Sequence, residues 1–163
     1  MKYLFFTAGG ILIAFSAFFA CQKPSEPKER VLYYKDSKAV MRRYFTINDK
    51  IEGEMTEYYE DGKTKLVRQF KNGLEEGTNQ LFYPDGKLKE IQRFVAGLKQ
   101  GGDTLFYPTG KPQFIVTFKD GKKDGLLQKW TPEGSLSFEA VYDKDSLKAV
   151  TTINKSADLK SAR

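Results

Sequence analysis

Residues 77–100 read GTNQLFYPDGKLKEIQRFVAGLKQ. An extended run, Thr78 to Tyr83, leads into Pro84-Asp85-Gly86-Lys87, and a second run, Leu88 to Phe94, follows. Proline suits the first central position of a type I turn, and glycine supplies the left-handed residue after it. A type I turn closed by a glycine bulge is a common hairpin connection. Val95-Ala96-Gly97 then forms a loop before the next run. The apolar runs are short, bounded by Gly or Pro, and rich in aromatic and β-branched residues, which favours strands over helix. The stretch predicts a β-hairpin.

The same stretch recurs every 24 residues. Gly53, Gly77, Gly101 and Gly125 keep this spacing, as do Gly62, Gly86, Gly110 and Gly134, and Phe70, Phe94, Phe118 and Tyr142. No insertion breaks the register over four copies. A fixed period means one small unit copied and stacked. A lone hairpin is marginal in water, so each must lean on its neighbours. The predicted fold is all-β: an elongated, curved antiparallel sheet of stacked hairpins. Five hairpins are expected over 31–148. The first is degenerate, with Tyr34 matching Tyr58 and Lys38 standing where a turn glycine belongs. Residues 149–163 form a tail, with one edge strand at 149–153. Ten strands at about 4.8 Å would extend roughly 50 Å.

Two columns are always aromatic: Tyr58, Phe82, Phe106, Trp130, and Phe70, Phe94, Phe118, Tyr142. With Leu66, Phe114, Val116, Phe138 and Ala140 they are expected to form one buried face. A third column, Tyr59, Tyr83 and Tyr107, is expected on the other face with Val67, Ile91 and Ile115. Such a row of rings suits stacking on sugars or holding peptide side chains. It is the candidate binding site. The plainer reading packs the rings on neighbouring Lys stems and aliphatic side chains.

The chain begins with Met1 and Lys2, followed by an uncharged, mostly apolar run to Ala20 and then Cys21. Residues 1–20 are expected to be a signal peptide. They resemble a bacterial lipoprotein signal, which implies lipidation of Cys21. The alternative is an uncleaved membrane anchor. Residues 21–30 are expected to be a mobile tether. The domain would then be exported to a bacterial cell envelope and held by its lipid, at the outer membrane if the source is Gram-negative.

The chain has no histidine, and Cys21 is its one cysteine. The commonest bases, nucleophiles and transition-metal ligands are therefore missing from the mature domain. Glu75-Glu76 reads as a solvated loop. Asp61, Asp85 and Glu133 read as turn residues. Asp120, Asp143 and Asp145 match no calcium loop. No catalytic residue, metal or cofactor is expected. Net charge is +6, but the signs are mixed along every copy, and nucleic acid is not an expected partner.

The pattern Gly-x4-Tyr/Phe-Tyr-Pro-Asp-Gly-Lys-x7-Phe-x2-Gly-x3-Gly resembles the bacterial variant of the MORN repeat, found in proteins labelled YwqK-family antitoxins. The likeness covers 53–148 well and 31–52 weakly. It implies a stacked-hairpin sheet and non-catalytic roles, and it brings no catalytic residues. The leading expectation is a membrane-anchored, non-enzymatic module that binds a protein or envelope component. The alternatives are a carbohydrate- or peptidoglycan-binding module and an immunity lipoprotein against an envelope-acting toxin. The oligomeric state is not read from the sequence.

Overall fold

The structure, a computed structural model, describes residues 25–152. The expected signal, Cys21 and the end of the tail lie outside the described residues. The first hairpin is β1 (Lys28–Tyr33) and β2 (Val40–Ile47). The second is β3 (Lys50–Tyr58) and β4 (Thr64–Lys71). In the third, β5 (Leu74–Glu75) leads into β6 (Gly77–Phe82) and returns as β7 (Leu88–Val95). The fourth is β8 (Leu98–Lys99), β9 (Gly101–Phe106) and β10 (Pro112–Lys119). The fifth is β11 (Lys122–Trp130) and β12 (Leu136–Asp143), and β13 (Ser146–Thr152) forms the far edge. All thirteen join one open antiparallel sheet in chain order, with β5 paired to β4 and β8 to β7.

Two boundaries differ from expectation. Lys28, Glu29 and Arg30 were expected in the tether, yet they pair with Thr46, Phe45 and Tyr44 as strand. Backbone pairing suffices there, because an edge strand tolerates charged side chains. The last strand begins at Ser146, three residues before Ala149, because Lys144 and Asp145 make a tight turn.

The two rims of the sheet carry different turns. On one rim, the Tyr83 N–H donates to Lys87 O at 2.8 Å and the Gly86 N–H to Tyr83 O at 2.9 Å. Gly86 sits at φ 86°, the left-handed position foreseen for it. Gly62, Gly110 and Gly134 repeat this geometry. The first hairpin has one residue more: Tyr34 N–H donates to Ala39 O at 3.0 Å, and Asp36 takes the positive φ. On the other rim, pairs such as Asn72-Gly73 and Ala96-Gly97 both have positive φ. That is the two-residue turn whose twist matches the flanking strands. Lys144-Asp145 keeps it without a glycine.

From the second hairpin on, each opening strand carries a bulge near the period glycine. Phe118 pairs with Lys123, but Val116 pairs with Leu127, a slip of two residues. The same slip separates Phe45–Glu52 from Arg43–Thr56, beside Gly53. At the last strand the slip is one residue: Tyr142 pairs with Leu147 and Val141 with Ala149, where the period would place a glycine.

Cross-strand pairs assign the faces. Phe70, Phe94, Phe118 and Tyr142 lie opposite Gly53, Gly77, Gly101 and Gly125. Met55, Leu66, Phe114, Val116, Leu127, Phe138 and Ala140 share that face, which among the described residues holds the buried apolar ones: Met55, Phe94, Val116, Leu127 and Ala140. This is the Met55 face. The opposite face carries Thr56, Val67, Gln80, Ile91, Thr104, Ile115 and Gln128. Alternation along the opening strands sets Tyr58, Phe82, Phe106 and Trp130 on this Thr56 face. The two aromatic columns expected to share one face are therefore split between the two. The column's spacing to Phe70 runs through a turn bulge, which shifts the pairing by one residue (Glu57–Leu66, then Tyr58–Thr64).

Candidate binding face

Tyr59, Tyr83 and Tyr107 stand at the first position of the glycine-bulge turns. Their hydroxyls donate to Phe82 O, Phe106 O and Trp130 O at 2.6, 2.7 and 2.8 Å. Each tyrosine thus ties its own hairpin to the next. Tyr34 does the same to Tyr58 O at 2.6 Å. In this role it is the counterpart of Tyr59, one residue out of the 24-residue register because of its longer turn. The rings are half-buried, with Lys65 Nζ 5.9 Å from the Tyr59 centroid and Lys89 Nζ 5.5 Å from that of Tyr83. Burial, the Tyr34 phenol and the Asp61 carboxylate hold the Tyr59 phenol above its usual range. The sequence-proposed column is therefore part of the framework. The preference for Tyr over Phe in that column was the signal for a hydroxyl with a fixed partner.

The opposite rim is tied by backbone. Gly73, Gly97 and Gly121 N–H groups donate to Ile51, Glu75 and Lys99 carbonyls at 2.9, 2.9 and 3.0 Å. Glu52 and Glu76 carboxylates accept from the Asn72 and Ala96 N–H groups, both at 2.7 Å. Glu76, expected to be solvated, thus caps a turn.

The Met55 face divides into two regions. Around β10 to β12, Val116, Leu127 and Ala140 form an apolar cluster, with Phe114, Phe118, Phe138 and Tyr142 packed about it. In the middle of the sheet the same columns turn polar. Met55 and Leu127 give way to Asn79 and Asp103, both buried. Leu66, Phe114 and Phe138 give way to Glu90, and Val116 and Ala140 give way to Gln92.

These polar groups are bonded to one another. Asp103 Oδ2 lies 2.6 Å from Lys99 Nζ and accepts from Gln92 Nε2 at 3.1 Å. Gln92 Nε2 also donates to Glu90 Oε1 at 2.7 Å. Asn79 Nδ2 donates to Glu75 Oε1 at 3.0 Å, and Arg68 lies 3.4 Å from that oxygen. Burial first, then the charge of Asp103 and a carboxyl hydrogen bond to it, push the Glu90 carboxyl above its usual range, against smaller opposing effects of Gln92 and Lys99. Beside Glu90 a recess of about 220 Å³ opens between Leu66, Leu81, Arg68, Asn79 and Gln92. Sequence reading missed this group. Polar residues in mid-strand look solvent-facing unless they are compared with the same column in the other copies.

The remaining acids have local tasks. Asp61 and Asp85 accept from the Lys63 and Lys87 N–H groups at 3.0 Å each, and those bonds hold both carboxyls below the usual range. Asp145 accepts from the Lys123 N–H at 2.9 Å, and Asp120 from Gln100 Nε2 at 2.6 Å. Asp143 lies 3.5 Å from Lys148 Nζ. Among the described residues no helix is long and apolar enough to cross a membrane.

A family model described as the MORN repeat variant matches residues 51–72, 75–96 and 104–120. No curated protein matches the chain. Among solved structures, the crystal structure of accessory secretory protein 1, 2 and 3 in Streptococcus pneumoniae aligns at 16% identity with a TM-score of 0.24. The alignment covers 77% of this chain and 19% of that one. So distant a similarity carries no weight for fold or function.

Proposed function

We propose that this MORN-variant repeat chain is a non-catalytic binding module that docks a protein partner across the Met55 face. A lipid on Cys21 would hold it at the bacterial cell envelope. One observation carries the reading: on a single-layer sheet, the rings of Phe114, Phe118, Phe138 and Tyr142 stay partly exposed around the buried Val116, Leu127 and Ala140. No second layer lies over it among the described residues. Clustered, partly exposed aromatic rings are common anchors of a protein interface. The polysaccharide alternative drew on the Tyr59, Tyr83 and Tyr107 rings, whose hydroxyls are committed to neighbouring carbonyls.

The test is site-specific photo-crosslinking in envelope membranes. A crosslinker at Phe138, on the Met55 face, is expected to yield a discrete protein adduct. The same group at Glu139, on the Thr56 face, is expected to yield none. Equal labelling at both, or none at either, would overturn the reading. Cys21→Ser is expected to abolish lipid incorporation and release the chain from membranes. Retention of Cys21→Ser in the membrane would remove the lipid anchor from the proposal.

A further inference from the structure

In a repeat sheet, the same column is expected to do the same structural task in every copy. Two columns of the Met55 face keep that rule in the flanking copies and break it at Asn79, Asp103 and Glu90. Met55 and Leu127 are buried apolar residues at the position where Asn79 and Asp103 are buried and polar. Replacing packed apolar groups with polar ones costs stability unless each is satisfied. A framework role does not require the exchange, because Met55 and Leu127 fill the Asn79 column, and Leu66, Phe114 and Phe138 the Glu90 column, in other copies.

The charges of the cluster do not balance. Glu75 has Arg68 at 3.4 Å and Asp103 has Lys99 at 2.6 Å. Glu90 makes no ion pair among the described residues: its carboxyl accepts from the neutral Gln92 amide and lies against the Asp103 carboxyl. The groups facing Glu90 are known from every neighbouring strand. Asn79 and Leu81 come from β6, Arg68 from β4, Asp103 from β9 and Lys99 from β8. The two cations among them are each paired to another acid. The recess beside Glu90 is about 220 Å³, bordered by the aliphatic Leu66 and Leu81. That is room for one long side chain, with apolar walls for its stem and a carboxylate for its head.

We propose that this recess receives a single cationic side chain of the partner, an ammonium or guanidinium on an aliphatic stem, with Glu90 as its counter-ion. The proposal rests on the reading of the Met55 face as the docking face, and it adds the chemistry of one contact. It also accounts for the cost that Glu90 imposes. A carboxylate crowded by burial and by Asp103 opposes folding, and an incoming cation relieves both penalties at once.

The test uses the full chain in detergent and three small probes: the N-acetyl methylamides of lysine, arginine and norleucine. The side-chain amide NMR signals of Asn79 and Gln92 report on the recess directly. The lysine and arginine probes are expected to move them saturably, and the neutral norleucine probe is not. Glu90→Gln is expected to weaken the cationic probes by about threefold to fivefold, as for a partly exposed ion pair. Glu139→Gln, on the Thr56 face, is expected to change nothing. In the unmodified chain, affinity for the cationic probes should fall on acidification as Glu90 takes up its proton. That arm stands even if Glu90→Gln fails to fold. Equal shifts with norleucine, unchanged affinity in Glu90→Gln, or affinity independent of pH would each overturn the proposal. Probe binding without a Phe138 adduct would keep the cation site and remove the docking reading. An adduct without probe binding would do the reverse.

Discussion

The Tyr83 hydroxyl donates to the Phe106 carbonyl at 2.7 Å, across the boundary between two hairpins. With its equivalents at Tyr34, Tyr59 and Tyr107, it makes a chain of stitches along one rim. Tyr83→Phe keeps the ring and removes the bond. The expected loss is about 1 kcal/mol, the net worth of one hydrogen bond. Urea denaturation of Tyr83→Phe, and of the Tyr59, Tyr83 and Tyr107 triple variant, measures it. The triple variant should lose roughly the sum, since coupling in repeat arrays is to nearest neighbours. No loss in the triple variant would remove the stitching role.

The period glycines differ in what surrounds them. Gly53 (φ 76°) faces open space, whereas a Cβ on Gly125 (φ 111°) would sit 3.3 Å from Thr117 Cβ. Both substitutions to alanine are strained by about 1–2 kcal/mol for the left-handed backbone. Gly125→Ala should cost more than Gly53→Ala because of the added contact. Chemical denaturation of the two variants gives the order, and a reversed order would contradict it.

Ala96 holds φ 48° in a two-residue turn where Asn72 and Asp120 stand in the neighbouring copies. A Cβ-bearing aliphatic residue is disfavoured there, while asparagine tolerates it. Ala96→Asn should therefore stabilise the chain by roughly 0.5–1 kcal/mol. A thermal midpoint at or below that of the unmodified chain would count against it.

Glu90 gives a pH dependence with a definite sign. Its folded-state carboxyl is held above the ordinary value by burial and by Asp103. The folded chain therefore favours the protonated acid. That contribution is fully present below the ordinary glutamate range and is lost as pH rises through the raised value. At neutral pH Glu90→Gln should have the higher melting temperature, and the gap should narrow as pH falls. Thermal melts of both proteins at several pH values decide it. A gap that widens on acidification would have the wrong sign.

Much of the framework is legible in the chain. Pro84-Asp85-Gly86 and its equivalents specify their turns by local chemistry, and the 24-residue spacing of Gly77 and Phe94 implies their pairing. What escapes a linear reading depends on register. The bulges beside Gly53 and at the turn rim move residues relative to their partners, so Tyr58 and Phe70 part company across the sheet. The Tyr83 to Phe106 bond spans 23 residues between separate hairpins, and its one mark is a column that keeps Tyr where Phe would pack as well. Lys28 to Arg30 look like a linker because their charges mask a strand held mainly by backbone pairing. Asn79, Glu90 and Asp103 become informative only column by column, beside Met55, Leu66 and Leu127.

The slip beside Ala149 acts on the whole series. A slip of two residues is even, so every copy up to β11 hands its successor the same side-chain frame. The slip at β13 is odd, and it reverses the frame: Val150 now shares a face with Ala140, and Thr151 with Glu139. Ala149 therefore marks a change of backbone parity that the even slips of the earlier copies do not make.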